Sequence, residues 1–328
     1  MIVTLTANPS VDRTIEVAGL VRGGVLRALA ARVDAGGKGI NVARALTANG
    51  HRVVAVLPTG GAEGDQLVGL LARSGLHFVA VPVNGAVRAN VTVVEPDGTT
   101  TKLNEPGPLL DPGEAAALAS ATLSAAVSAR WAVLCGSLPP GVPVSFYRDL
   151  TEQLHAAGVR VAVDTSGAAF RSALAAGPDL VKPNREELAE AAGHPVDTLG
   201  EVAEAGAWLC SAGAGSVLAS LGPDGAMLIT PAGRWLATGP VREPRSTVGA
   251  GDALLAGYLS VAAREVTPVA AGAASSTMDS AVGALVESVA YGAAAISLPG
   301  SRMPEPGDLD RGLVTLHTDF DPARVLSR

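Results

Sequence analysis

Seven short runs of apolar, largely β-branched residues recur along the chain, with helical patterns between them. They read IVTLTA (2–7), VVAVLP (53–58), FVAVPV (78–83), WAVLC (131–135), RVAVD (160–164), LVK (180–182) and SVLASL (216–221). Runs this short and this continuously apolar belong to strands covered on both faces, not to strands with one wet side. The pattern between them predicts helices at 39–49, 63–74, 113–129, 144–157 and 201–212. One helix start is explicit: Asp111-Pro112-Gly113-Glu114 supplies a cap, a proline in the first turn and a glutamate three after the cap. Strands alternating with helices imply an α/β chain with a mostly parallel, doubly wound sheet and helices on both faces. Aromatic residues make up only 3%, so Ala, Val and Leu must fill the core, which suits helices packed closely on such a sheet.

Two segments break the rhythm. Residues 14–33 and 90–104 alternate apolar and polar side chains, the second around the turn Pro96-Asp97-Gly98, as antiparallel strands with one exposed face do. They are expected to form a small antiparallel β-lid, from about 12–34 and 88–105, on a single domain of residues 1–328. An edge hairpin with no lid role is the alternative. The Ala/Ser/Gly-rich stretch 267–280 is expected to be a surface connection, and the tail 318–328 to fray.

A net charge of −7 and a pI near 5.3 argue against a general binder of nucleic acid or anionic membrane, though not against an anionic small substrate held by a local basic cluster. Cys135 and Cys210 form no spaced framework, so a reducing compartment is expected. The opening MIVTLTANP has no basic, signal-like start, and the longest uncharged run, 205–223, is broken by Gly and Ser and ends in Pro. Neither a secretory signal nor a membrane span is expected, which points to the cytoplasm.

Of 24 basic residues only Lys38, Lys102 and Lys182 are lysine, and they lie in AGGKGIN, TTKLNEPG and VKPNREE. A compact ammonium meets a phosphate as a point charge. Two glycine-rich turns open helices: AGGKGINVARAL (35–46) carries Lys38, and RSTVGAGDALLAGYL (245–259) carries Asp252. Each can be a plain helix start, with Asp252 as the cap. Each can also be an anion nest, because backbone N–H groups converge there and the helix dipole favours negative charge. Neither matches GxxxxGK[ST] or GxGxxG. Polar groups also follow the predicted strands: Asn8 and Asp12, Ser137, Asp164, Asn184 with Glu187, and the turn from Ser220 to Gly225. Ligands of doubly wound sheets gather at those strand ends. The five histidines are scattered and suggest neither a metal site nor a triad. Two anion sites with a carboxylate between them is what phosphoryl transfer from a nucleotide to a phosphosugar requires.

GGKGINVARAL and STVGAGDALLAG resemble the paired signatures of the ribokinase-like sugar kinases, also called the phosphofructokinase B family. LTANPSVDRTIEV, TKLNEPGP, CGSLPPG, VAVDTSG, KPNREEL and SLGPDGA match in order, over residues 1 to about 305. The resemblance implies a three-layer α/β/α sandwich with a β-lid, and transfer from ATP, with Mg²⁺, to a sugar hydroxyl. By position, Asp252 matches the family's catalytic base, and Gly249, Ala250 and Gly251 its anion hole. Asp12, Gly36, Gly37, Lys38, Asn41, Arg88, Asn90 and Ser137 fall where it binds sugar or sugar phosphate, with Lys102 a further phosphate contact. Asn184 and Glu187 match its N-x-x-E element, which organises Mg²⁺ through water. Lys182, Asn184, Ser220, Gly222, Gly225, Thr247, Gly249, Gly251 and Ala293 lie where it holds ATP. Near a helix N-terminus, Asp252 is expected to stay ionised as a weak base.

The branch that acts on fructose 1-phosphate fits best, with Lys38, Arg88 and Lys102 surrounding the existing phosphate and the 6-hydroxyl facing Asp252. Tagatose 6-phosphate and fructose 6-phosphate remain alternative acceptors. Relatives using fructose 6-phosphate can carry Gly in place of Lys38 and a lysine where this chain has Val25, which weakens that reading. A non-catalytic sugar-phosphate-binding regulator is the rival from another class, and the intact GAGD turn speaks against it. A homodimer through the lid is the expected assembly.

Overall fold

The computed structural model describes residues 1–241, 243–264 and 273–327, with side chains omitted for 273–279. Its first half runs β1 (Ile2–Thr6), β2 (Ser10–Glu16), β3 (Ala30–Gly36), α1 (Lys38–Ala48), β4 (Val53–Thr59), α2 (Gly61–Arg73), β5 (Phe78–Pro82), β6 (Arg88–Val94) and β7 (Thr100–Asn104). There follow α3 (Pro112–Ala126), β8 (Trp131–Cys135), α4 (Phe146–Ala156), β9 (Arg160–Asp164), α5 (Gly167–Leu174), β10 (Leu180–Val181), α6 (Arg185–Ala192) and α7 (Leu199–Ser211). The last part holds β11 (Val217–Ser220), β12 (Ala226–Thr230), β13 (Gly233–Thr238), α8 (Ala250–Ala262), α9 (Ala273–Ile296) and β14 (Thr315–His317).

All seven predicted strands lie side by side in one sheet, in the order β14-β13-β12-β11-β10-β9-β8-β1-β4-β5. Pairing from β5 through to β11 is parallel, and β12 to β14 add antiparallel strands at one edge. The period of two divides each strand between two cores. Val3, Leu5, Val56 and Leu134 face one core, and Ile2, Ala55, Leu57 and Val133 face the other. The first core takes its helical side from α3, α4 and α7, and the second from α1, α8 and α9. This is the expected three-layer α/β/α sandwich. Helix α3 starts as predicted, with a reciprocal Asp111–Glu114 capping box and a proline in the first turn.

The strand order reverses at β1, which pairs with β4 on one side and β8 on the other. Chain segments leaving β1, β8, β9, β10 and β11 therefore emerge at one edge. Over that edge lies a second sheet, β3-β2-β6-β7. Its β2–β3 and β6–β7 pairings are antiparallel, as expected of the lid, while the central β2–β6 pairing is parallel because the two strands come from separate excursions of the chain.

Two expectations are corrected. Residues 273–280 of the supposed connection are the first turns of α9, and 267–272 lie outside the described residues. The small residues there read as a loop, yet Ala and Ser are tolerated well in helices. The tail 318–328 does not fray over its described part. Leu326 is buried, Val325 bridges to Thr198, and Asp224 accepts hydrogen bonds from Arg324 and from the Ser327 N–H. Among the described residues, no helix is long and apolar enough to cross a membrane.

Candidate active site

The glycine-rich turn before α8 places Asp252 differently from a cap. Gly249 is the N-cap residue, with φ 78°, and its side-chain-free backbone holds the left-handed conformation that the turn requires. Asp252 is thus the third helical residue, and no side chain caps this helix. The first full intrahelical bond runs from the Ala253 N–H to the Gly249 carbonyl at 2.8 Å. The N–H groups of Gly251 and Asp252 precede it and point out of the helix end, as helix geometry dictates. The Ala250 N–H makes only a long bond, 3.4 Å, to the Thr247 carbonyl.

Asp252 is 8% exposed and accepts a hydrogen bond from Asn41 Nδ2 at 2.8 Å. Asn41 comes from α1, which the other glycine turn starts, so the two turns meet at this carboxylate. Burial, and then the negative charge of Asp164, push Asp252 up to about 6, against the pull of Asn41, Lys38 and Lys182. Asp252 is therefore a stronger base than the weak one expected of a helix-end aspartate, while staying largely ionised at neutral pH. Helix-end stabilisation was weighed without the cost of burying the group beside a second carboxylate.

Asp164, at the end of β9, is the hub that the sequence did not single out. Its side chain is fully buried, with Lys38 Nζ 2.7 Å from Oδ1 and Lys182 Nζ 3.3 Å from Oδ2. Burial alone would raise it, but Lys182 and Lys38 outweigh that and hold it below the usual carboxylate range. Lys38 also faces Glu187 Oε1 at 3.6 Å. Burial works against the Lys38 charge, but Asp164 and Glu187 prevail and keep it above the ordinary lysine value. Lys182 is 4% exposed, and its Nζ lies 3.4 Å from where a Cβ on Gly251 would stand. Two ammonium groups thus sit beside the free N–H groups of the GAGD turn, where an incoming phosphoryl group would find both.

Asn184 and Glu187 form a reciprocal capping box at the start of α6: Asn184 Oδ1 accepts from the Glu187 N–H and Glu187 Oε2 from the Asn184 N–H. The second oxygen, Oε1, is left facing Lys38. Ser220 pairs with Asn184 as a parallel bridge, which brings the turn containing Gly222 and Gly225 beside this helix start. Thr247 lies in the loop before Gly249, and Ala293 lies on α9, half-buried.

A second cluster joins the lid to the main sheet. Ser10 Oγ and Asn90 Nδ2 both donate to Asp12 Oδ1, at 2.6 and 3.1 Å. Gly36 stands opposite them, where a Cβ would lie 2.3 Å from the Asp12 carboxyl group and displace it from Ser10 and Asn90; Gly37 next to it is the N-cap of α1. Arg88 donates to the carbonyls of Glu105 (3.1 Å) and Asn8 (2.9 Å). Asn8 Nδ2 donates in turn to the Pro106 carbonyl at 2.9 Å and, more weakly, to Ser137 Oγ at 3.4 Å. Lys102 is exposed, and its register partner Thr92 lies two residues beyond Asn90. In a strand that spacing keeps it on the Asp12–Asn90 face, farther out.

Lys38 is engaged by Asp164 and Glu187, while Arg88 and Lys102 lie on the lid strands β6 and β7. Among the described residues, no group of three or more His, Cys, Asp or Glu side chains is placed to hold a metal ion directly.

The sequence pattern of the pfkB family carbohydrate kinases matches residues 5–298. The chain is 43% identical over 265 residues to 1-phosphofructokinase of Rhodobacter capsulatus, spanning 80% of this chain and 83% of that protein. It is 36% identical over 257 residues to ATP-dependent 6-phosphofructokinase isozyme 2 of Escherichia coli (strain K12), spanning 77% and 83%. Among solved structures, phosphofructokinase-2 from Escherichia coli in complex with potassium is similar with a TM-score of 0.83 and 32% identity, over 94% of this chain and 96% of that one.

Proposed function

This chain belongs to the pfkB family of carbohydrate kinases, and from that premise we propose that it transfers the γ-phosphoryl group of ATP to the 6-hydroxyl of fructose 1-phosphate. The observation that carries the reading is the buried Asp252, held by Asn41 at the mouth of the GAGD turn with Lys38 and Lys182 nearby. The acceptor oxygen attacks the γ-phosphorus, the bond to the β,γ-bridging oxygen breaks, ADP leaves, and the hydroxyl proton passes to Asp252. A carboxylate that holds its proton to about pH 6 is a better acceptor than an ordinary aspartate and is still mostly ionised at neutral pH. The transition state spreads charge over the equatorial phosphoryl oxygens. The N–H groups of Ala250, Gly251 and Asp252, with Lys38 and Lys182, are aimed at that charge.

Asp12 and Asn90 orient the sugar hydroxyls, and Arg88, with Lys102 on the closing lid, receives its phosphate. Lys182, Asn184, Ser220, Gly222, Gly225, Thr247 and Ala293 hold the nucleotide. The capping box occupies Asn184 Oδ1 and one Glu187 oxygen and leaves Oε1 facing Lys38, a sparse donor set suited to a hydrated Mg²⁺ rather than a stripped one. When bound with ATP, that ion would neutralise phosphate charge. Glu187→Gln is expected to raise the Mg²⁺ concentration needed for half-maximal activity. An unchanged Mg²⁺ titration would leave Glu187 as a helix cap alone.

Residues 1–328 act as one kinase unit in this reading, with 12–34 and 88–105 as the lid. Leu20, Val21, Leu26, Leu29 and Leu103 are exposed apolar residues of the lid segments, which supports pairing of two lids in a homodimer. In this reading the protein acts in the cytoplasm.

The test is a panel of acceptors with ATP. A kcat/KM for fructose 1-phosphate well above those for fructose 6-phosphate, tagatose 6-phosphate and free fructose is expected. The 36% identity to a 6-phosphofructokinase makes fructose 6-phosphate the comparison that matters. Preference for it would keep the mechanism and overturn the sugar, whereas preference for an unphosphorylated acceptor would overturn the lid cations as a phosphate site.

A further inference from the structure

The C-terminal segment 321–327 is laid across two elements of the nucleotide side. At one end, the carbonyls of Pro322 and Arg324 accept from the N–H groups of Gly200 (2.8 Å) and Leu199 (3.0 Å), and the Leu326 N–H donates to the Asp197 carbonyl at 2.8 Å. Leu326 fills the core beneath. Beside α6, Arg185 donates from Nη1 to the Ser327 carbonyl (3.0 Å), from Nε to the Val196 carbonyl (2.7 Å), and pairs with Asp197. At the other end stands Asp224, in the turn between β11 and β12. Its carboxylate is nearly buried, and both oxygens are taken up by the segment: Oδ1 by Arg324 Nη2 at 2.8 Å, Oδ2 by the Ser327 N–H at 2.6 Å.

Asp224 lies between Gly222 and Gly225, and Arg185 directly follows Asn184, so the segment ties together the two places assigned above to ATP. We propose that residues 321–327 are a clamp that sets the turn 220–225 against the start of α6, with Arg324, Asp224 and Arg185 as positioning residues for nucleotide binding. The inference rests on the assignment of that turn to ATP. A buried carboxylate bonded on both oxygens by one segment fixes the turn; released, it would take water and let the turn wander. A loop ordered in advance binds its ligand at less entropic cost, so loss of the clamp should fall on ATP and not on the sugar.

The experiment compares the whole protein with Arg324→Ala, Arg324→Lys and a chain ending at Phe320. Titration calorimetry with ATP alone, KM values for ATP and for fructose 1-phosphate, Tm, and hydrogen exchange of 220–225 with and without ATP are measured. Arg324 is half exposed, so Arg324→Ala should fold even if the shortened chain does not. Its Kd and KM for ATP are expected to rise roughly tenfold, as for loss of a charge-assisted bond that orders a binding loop. The KM for fructose 1-phosphate should stay unchanged, and Arg324→Lys should recover part of the loss. Unchanged ATP affinity in Arg324→Ala, or equal damage to both substrates with a lowered Tm, would overturn the clamp and leave a general stabilising strap. If ATP does not slow exchange of 220–225 in the whole protein, the nucleotide assignment is wrong and the clamp falls with it.

Discussion

Asp252→Asn is expected to lower kcat by roughly two or more orders of magnitude, the scale of a general base, and at the same time to make the protein more stable. The second half follows from the raised proton affinity. The folded carboxyl group holds its proton to about 6, against an ordinary value of 3.8. Above pH 6, therefore, the ionised group destabilises the fold, by about 1–3 kcal/mol on the linkage scale. That penalty fades as pH falls through 6 and is gone below 3.8. Asn keeps an acceptor for Asn41 and carries no charge at any pH. Its gain in Tm over the parent should be largest near pH 7.5 and should shrink towards pH 4. Turnover close to that of the parent would remove Asp252 from the reaction, and equal Tm values at pH 7.5 would mean that its burial costs nothing.

The second large effect is at Asp164. Its charge is the partner of both Lys38 and Lys182. Removing one member of a buried ion cluster leaves the others uncompensated, typically at a cost of about 3–5 kcal/mol. Asp164→Asn should show that loss in urea unfolding at neutral pH. It should also change the chemistry. The negative charge of Asp164 is, after burial, what raises Asp252, so without it Asp252 gives up its proton more readily. The acid limb of kcat against pH, expected near 6 in the parent, should move to lower pH. A large stability loss with an unmoved limb would show that Asp164 supports the fold without reaching the base.

The sheet and both glycine turns were legible because each is written locally: continuous apolar runs for buried strands, glycine followed by an amphipathic or apolar stretch for helix starts. The lid was legible from alternation. The antiparallel edge β12–β14 was not, since β14 is three residues long and β12 and β13 are joined by a short turn inside what reads as one mixed stretch. Placement at the site was harder. Asp12 and Asn90 bond to each other and Asn41 bonds to Asp252, but Asp164 looked like one polar strand end among several. Only the fold shows that Lys38, from residue 38, and Lys182, from residue 182, converge on it. The same holds for Asp252, whose proton affinity depends on a carboxylate 88 positions away in sequence. The tail misled because its bonds run to backbone groups, to the Arg185 guanidinium and to one buried aspartate, which no pattern in 318–328 announces.

Asp252 is mounted on a helix whose residues 252–260 are all buried, and Gly257 lets that helix touch α9 almost backbone to backbone. The lid strands, by contrast, lend the core only Val11 and Ala35 as buried side chains among the described residues, with Val33 packed against it. Substitutions beneath Asp252 would open cavities costing roughly 2–5 kcal/mol, whereas most lid positions can change within about half a kcal/mol. With the roles proposed above, the scaffold therefore separates what is done from what it is done to. A new acceptor can be taken on by rewriting a thin outer sheet, one position at a time, while the transfer machinery and the fold stay as they are.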